Sequence, residues 1–166
     1  MARSRRPSFR LLLNSFLLTQ DVFGMYPLAH LAASLQMNEV YHGDRFSAAA
    51  GAIVPDLIDK TLGWVLGITP SGRYAAHSLA GATALTLATV GLTGPRRGVS
   101  FGASYLCHLV GDLWKGGHVP WLMPFREYNH SERRWDLGIT SRTMLLELAG
   151  MVLLAHLTAR WAKEKR

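Results

Sequence analysis

The chain has 166 residues, 17% of them charged and 49% hydrophobic, with one cysteine and a formal net charge of +7. That length suits one domain with one sizeable core. Soluble domains carry about a quarter charged residues, so this apolar composition excludes intrinsic disorder, and the lone Cys107 excludes a disulfide framework or a cysteine-rich zinc module.

The basic residues lie at the ends of apolar stretches. Arg3, Arg5, Arg6 and Arg10 open the chain, Arg96 and Arg97 sit between two long apolar segments, and Arg160, Lys163, Lys165 and Arg166 close it. Such placement suits anionic headgroups. No basic stripe interleaved with aromatics and no reading motif accompanies it, so nucleic acid is not the expected partner.

Residues 1–24 read as a basic arm followed by an apolar anchor or interfacial helix, and 25–166 as one helical domain. The apolar part, 11–23, is short of a bilayer span. Arm and stretch imitate the first two regions of a secretory signal, but no small-residue cleavage site follows and Met25 is an alternative start. Segment 47–54 is a short helix expected to stop near Pro55. Asp56 and Asp59 would then occupy a helix first turn, where carboxylates are favoured and capping is the plain explanation. Tyr74–Pro95 holds 22 residues without formal charge, 98–111 is neutral again, and 143–158 carries only Glu147 and His156. Alternating strand patterns are absent. An all-α, membrane-associated bundle of about five to six helices is expected. Ala80, Ala84 and Ala88 form one small-residue stripe and Gly98 and Gly102 another, as close helix packing in lipid requires.

The informative residues are the ionisable ones inside these apolar segments. His108 and Asp112 stand four apart and share a helix face, where an imidazole and a carboxylate reach one ion, or simply each other. If helices 75–94 and 98–114 form a hairpin, His77 lies roughly 25 Å before the turn and Asp112 roughly 21 Å after it, at 1.5 Å per residue. His77, His108 and Asp112 then gather at the end away from the arginines. His30, alone, reads as a satisfied structural histidine.

The ordered set His30, P-D-L-I-D at 55–59, His77-Ser78, H-L-V-G-D at 108–112 and P-W-L-M-P-F at 120–125 resembles the bacterial and archaeal membrane-bound, metal-dependent hydrolases of the LexA-regulated inner-membrane group. That family is in turn distantly similar to zinc-dependent phospholipase C. The resemblance implies His30, Asp56, His77, His108 and Asp112 as metal ligands, with His118 a sixth. The later HxxxE of the phospholipase is missing, because Arg134 follows His130 by four. One or two ions are therefore expected rather than three.

Imidazole and carboxylate donors suit zinc, with manganese or iron as alternatives. A bound ion would activate water for attack on an ester or phosphoester, and Asp56 or Asp59 is the expected general base. Trp114, Trp121 and Phe125 favour a membrane lipid or other amphipathic substrate. Positive residues prefer the cytoplasm, which puts the metal end on the extracytoplasmic side of an inner membrane, although Arg126, Arg133, Arg134 and Arg142 count against it. Cys107 points about 100° from His108 and reads as a buried thiol. His42, His130 and His156 read as solvated or interfacial, and Trp64 and Trp135 as belt or core. Two other functions fit the same residues: a small membrane haem or electron-transfer protein with His77 and His108 as axial ligands, and a non-catalytic helical membrane scaffold.

Overall fold

In a computed structural model, residues 27–113, 119–128 and 141–164 are described. Residues 1–24, His118, Trp114, His130, Arg134 and Trp135 lie outside them. Among the described residues there are five α-helices and no strand: α1 (Pro27–Val40), α2 (Arg45–Lys60), α3 (Leu79–Thr93), α4 (Pro95–Leu113) and α5 (Ser141–Glu164). The expected all-helical architecture is present.

Local chemistry sets the helix ends. Asp44 caps α2, its Oδ1 accepting from the Ser47 amide at 2.8 Å and from the Ser47 hydroxyl at 2.7 Å. Ser78 caps α3 by accepting from the Gly81 amide at 3.0 Å. Gly94 ends α3 with φ of +91°, a conformation that L side chains rarely adopt, and Pro95 opens α4 directly, where its missing N–H costs nothing. The hairpin is therefore tighter than the sequence suggests.

Helix α2 does not stop at Pro55 but runs through it to Lys60. Pro55 forgoes its bond to the Gly51 carbonyl, and packing overrides that loss: Gly51 lies against the backbone of α4, where an added Cβ would meet Phe101 O at 2.1 Å. Asp56 and Asp59 consequently sit in the last two turns of α2, not the first. The helix dipole there opposes a carboxylate, so capping cannot explain the pair. A π-helical turn (Thr61–Val65) then leads towards a 3-10 turn (Ala75–His77) that carries His77.

Helix α4 is central, packed against α1, α2 and α3. Gly98 and Gly102 give the close approach to α3 expected of them, since Cβ atoms there would meet Val90 and Thr86. The alanine stripe does not: Ala84 and Ala88 are exposed, and Ala82 is the buried alanine of α3. Helix α5 runs alongside α1, with Gly150 against Ala29, Leu157 packed with Leu35 and Arg160 on Glu39. Glu147 accepts from the Ala29 amide at 3.1 Å and so satisfies an open end of α1.

Among the described residues, the interior holds as many polar side chains as apolar ones. Buried side chains include His30, Ser34, Asn38, Asp59, His77, Ser100, Ser104, His108 and Asp112. Exposed ones include Phe46, Leu57, Leu87, Leu92, Val110, Leu145 and Val152. Thr143–Glu164 is the one helix among the described residues long and apolar enough to cross a membrane. The expected span over 74–95 yields only the 15-residue α3, about 22 Å long and short of a hydrocarbon core of about 30 Å.

A candidate metal centre

Four elements each deliver polar side chains to one point. Helix α1 supplies His30; α2 supplies Asp56 and, three residues on, Asp59; the 3-10 turn supplies His77; and α4 supplies His108 and Asp112 on one face. A short buried bond from the Tyr105 hydroxyl to Ala76 O, 2.6 Å, pins the 3-10 turn to α4.

The ring nitrogens are sorted by their outer partners. His108 Nδ1 lies 2.7 Å from Ala52 O, and a carbonyl can only accept, so Nδ1 carries the proton. His77 Nδ1 donates likewise to Asp59 Oδ2 at 2.8 Å. Asp59 is fully buried and also accepts from the amides of Tyr74 (2.6 Å), Ala76 (3.1 Å) and His77 (3.0 Å). Both Nε2 atoms are thus left as lone pairs facing inward, 3.4 Å apart. Around them, His77 Nε2 lies 3.4 Å from Asp56 Oδ1 and 3.4 Å from Asp112 Oδ2, and His108 Nε2 lies 3.9 and 4.0 Å from the same oxygens. His30 stacks on His108 with ring centroids 4.1 Å apart, its Nε2 is 3.3 Å from Asp112 Oδ1, and neither of its ring nitrogens makes a hydrogen bond.

Two facing lone pairs between two carboxylates repel one another unless a proton or a metal cation stands among them; without metal, the raised pKa of His77 favours a proton on its Nε2, towards Asp56. In tetrahedral zinc with bonds of about 2.0–2.1 Å, donors stand about 3.3–3.4 Å apart, close to the observed spacing. The buried, unpartnered His30 fits the same requirement. Two triads, His30–His108–Asp112 and Asp56–His77–His108, each bring their ligand atoms within reach of one ion. They share His108, whose Nδ1 is already used, so one Nε2 serves both. The donor set fits a divalent cation of the zinc, manganese or iron kind.

Charge is arranged to match. Arg73 forks onto Asp112, Nε to Oδ2 at 2.8 Å and Nη2 to Oδ1 at 2.9 Å, and Lys60 pairs with Asp56 along α2. Burial alone would raise the pKa of Asp56, but its contact with His77 and the Lys60 charge hold it well below the usual carboxylate range. Burial opposes charging of His77, yet the hydrogen bonds to Asp56 and Asp59 outweigh it and raise its pKa.

Of the residues expected at the site, His30, Asp56, Asp59, His77, His108 and Asp112 converge. His30 is no isolated structural histidine. Asp59 stands behind His77 rather than at the centre of the donor set. His118 lies outside the described residues. Cys107 is half-buried rather than enclosed, and His42 and His156 are exposed. Sequence reasoning missed Arg73 and the Ala52 carbonyl. Arg73 was visible only as the last charge before the neutral stretch, and no spacing rule ties it to a carboxylate 39 residues on.

These features define a class: an all-helical protein with an apolar exterior whose interior holds a His–Asp cluster able to take a metal ion. Residues 16–165 match the model of a family described as YdjM inner membrane protein, and the chain belongs to that family. No curated protein and no solved structure matches it. The family agrees with the inner-membrane part of the resemblance drawn from the motifs.

Proposed function

We propose that the protein is a membrane-bound, metal-dependent hydrolase acting on an ester or phosphoester of an amphipathic, lipid-like molecule. One observation carries this reading: His77 and His108 have their Nδ1 atoms tied to outer partners and their Nε2 lone pairs opposed at 3.4 Å between Asp56 and Asp112. When bound there, a divalent ion would lower the pKa of a water to about 7 and polarise a carbonyl or phosphoryl oxygen.

The side chains divide the remaining work. His77, His108, Asp56, Asp112 and His30 form the donor set. Asp59 holds the His77 ring in its tautomer and orientation, which makes it a positioning residue rather than the base. Asp56, with a side chain 13% exposed beside the half-buried Lys60, is the carboxylate placed to take a proton from an attacking water. Exposed Leu57, Leu79 and Leu113 stand next to site residues in the chain, and with cationic Arg73 and Lys60 they suit a substrate with apolar chains and an anionic group. A haem held between His77 and His108 is disfavoured, because carboxylate oxygens crowd the same nitrogens and leave no slot for a macrocycle.

The test is metal analysis of protein purified without chelator, for wild type, His108→Ala and Asp112→Ala. Stoichiometric metal in wild type and its loss in both variants is the expected result, followed by metal-dependent cleavage of a chromogenic phosphoester. Equal metal content in all three would overturn the donor set and leave the scaffold alternative. A metal-loaded wild type that cleaves neither phosphoesters nor carboxyl esters would overturn the hydrolase reading alone.

A further inference from the structure

Helix α5 buries one face and leaves the opposite one bare. Thr143, Gly150 and Leu157, spaced by seven, turn inwards, Gly150 against Ala29 and Leu157 against Leu35. On the far side Leu145, Ala149, Val152, His156 and Ala159 follow at intervals of four, three, four and three, and all five are exposed. That spacing forms a single stripe, about 21 Å long at 1.5 Å per residue. It carries no carboxylate, lysine or arginine, and the same spacing next reaches Lys163 in the last turn. A repeat of four and three keeps one seam turned towards a neighbouring helix along its whole length.

His156 argues that acyl chains are not that neighbour. The apolar helix Thr143–Glu164 is about 33 Å long at the same rise, enough to span. His156 stands about 20 Å from its start and about 12 Å from its end, too deep for an imidazole on one methylene to reach either headgroup layer. Histidines within spans face protein or a water-filled cavity and pair with another polar group, because hydrocarbon offers no hydrogen bond. The exposed Thr158 at the same depth is satisfied inside its own helix, its hydroxyl donating to Leu154 O at 2.9 Å. His156 has no such partner among the described residues. Its partner must come from outside the described bundle.

The geometry points to a parallel homodimer in which the α5 stripes of two copies pack together and each His156 pairs with its counterpart. Copies inserted with one topology meet side by side, with their two-fold axis along the membrane normal. Every stripe position then faces itself. Two identical side chains satisfy each other only if each is both donor and acceptor, and neutral imidazole is: the N–H of one ring donates to the bare nitrogen of the other. A lysine or a carboxylate there would repel its copy. Ala149 and Ala159 flank the pair, and their short side chains let the two backbones approach. One polar residue in an otherwise apolar seam also fixes register and the number of partners. Because the stripe faces away from α1, the pairing leaves His30 and the metal centre of each copy uncovered. The dimer stands without the hydrolase reading.

The test uses the full chain in phospholipid vesicles, with Cys107→Ser removing the native thiol. Ala149→Cys, Ala159→Cys, Met151→Cys and Thr158→Cys are introduced singly, oxidised and resolved by size without reductant. Disulfide-linked dimers are expected at Ala149→Cys and Ala159→Cys, several-fold above Met151→Cys and Thr158→Cys, which are exposed but turned roughly 100° or more from the stripe. Adding His156→Leu to Ala149→Cys should lower the dimer yield several-fold with helix content unchanged by circular dichroism, and His156→Gln, again donor and acceptor, should restore most of it. Equal cross-linking at all four positions, or none at either alanine, would overturn the dimer. A wild-type yield from His156→Leu would overturn the imidazole pair. An Ala149→Cys chain that instead closes a disulfide with Leu17→Cys within one monomer would show the stretch 11–23 covering the stripe and would equally overturn the dimer. Metal content, measured separately, tests the hydrolase reading and leaves these outcomes valid.

Discussion

Replacing Asp59 by asparagine removes one charge and changes one atom, yet four bonds converge on that carboxylate. Oδ2 accepts from the Tyr74 and His77 amides and from His77 Nδ1, and Oδ1 accepts from the Ala76 amide. An asparagine oriented to keep the three-bond side turns its NH2 towards the Ala76 N–H. Two buried donors then face each other, at a cost of about 1–3 kcal/mol, and three charge-assisted bonds become neutral ones, each weaker by about 1 kcal/mol. The total, about 4–6 kcal/mol, corresponds to a Tm lower by roughly 10–20 °C for a chain of this size. The His77 ring also loses its orienting partner, which typically weakens metal binding by about 10–100-fold. Thermal unfolding in detergent and zinc affinity by chelator competition measure the two effects. An Asp59→Asn protein with both wild-type Tm and wild-type zinc affinity would refute the positioning role.

Arg73→Met leaves Asp112 buried with its charge unpaired, a cost of about 3–5 kcal/mol in the metal-free protein. Zinc should restore most of the lost Tm, and a fall in Tm that zinc leaves unchanged would count against Asp112 as a ligand. Gly51→Ala drives a methyl into Phe101 O and should destabilise by about 1–3 kcal/mol, whereas Gly91→Ala, with nothing within 4 Å, should stabilise α3 by up to about 1 kcal/mol; unfolding midpoints of equal sign would refute the α2–α4 packing. Asp44→Ala should cost about 1 kcal/mol through loss of the α2 cap. The two bonds from Ser47 hold the Asp44 pKa below its ordinary 3.8, so this cap stabilises fully above that value and is lost as pH falls through the folded-state pKa. The difference between wild type and Asp44→Ala should therefore vanish in strong acid, and a difference that persists there would contradict the cap.

The helical class and the suspicious residues were legible in the sequence because both are local properties. Periodicity, neutral runs and turn chemistry concern neighbours in the chain, and spacing of four places His108 and Asp112 on one face whatever surrounds them. His77 does reach the end of the hairpin away from the arginines, but from a 3-10 turn ahead of α3 and not from a helix over 75–94, so the rise-per-residue estimate rested on the wrong element. Pro55 misled because a missing N–H is a local penalty, which a whole helix–helix interface outweighs. The alanine stripe misled because periodicity marks a face without saying which neighbour covers it.

Tertiary structure alone decided the rest. It placed His30 on His108, set Asp59 behind His77 and brought Arg73 to Asp112. None of these has a sequence signature, because each depends on the angle and offset at which helices dock. Those quantities are set by small contacts such as Gly51 on Phe101 and Gly98 on Val90, which become visible only when the helices are in place.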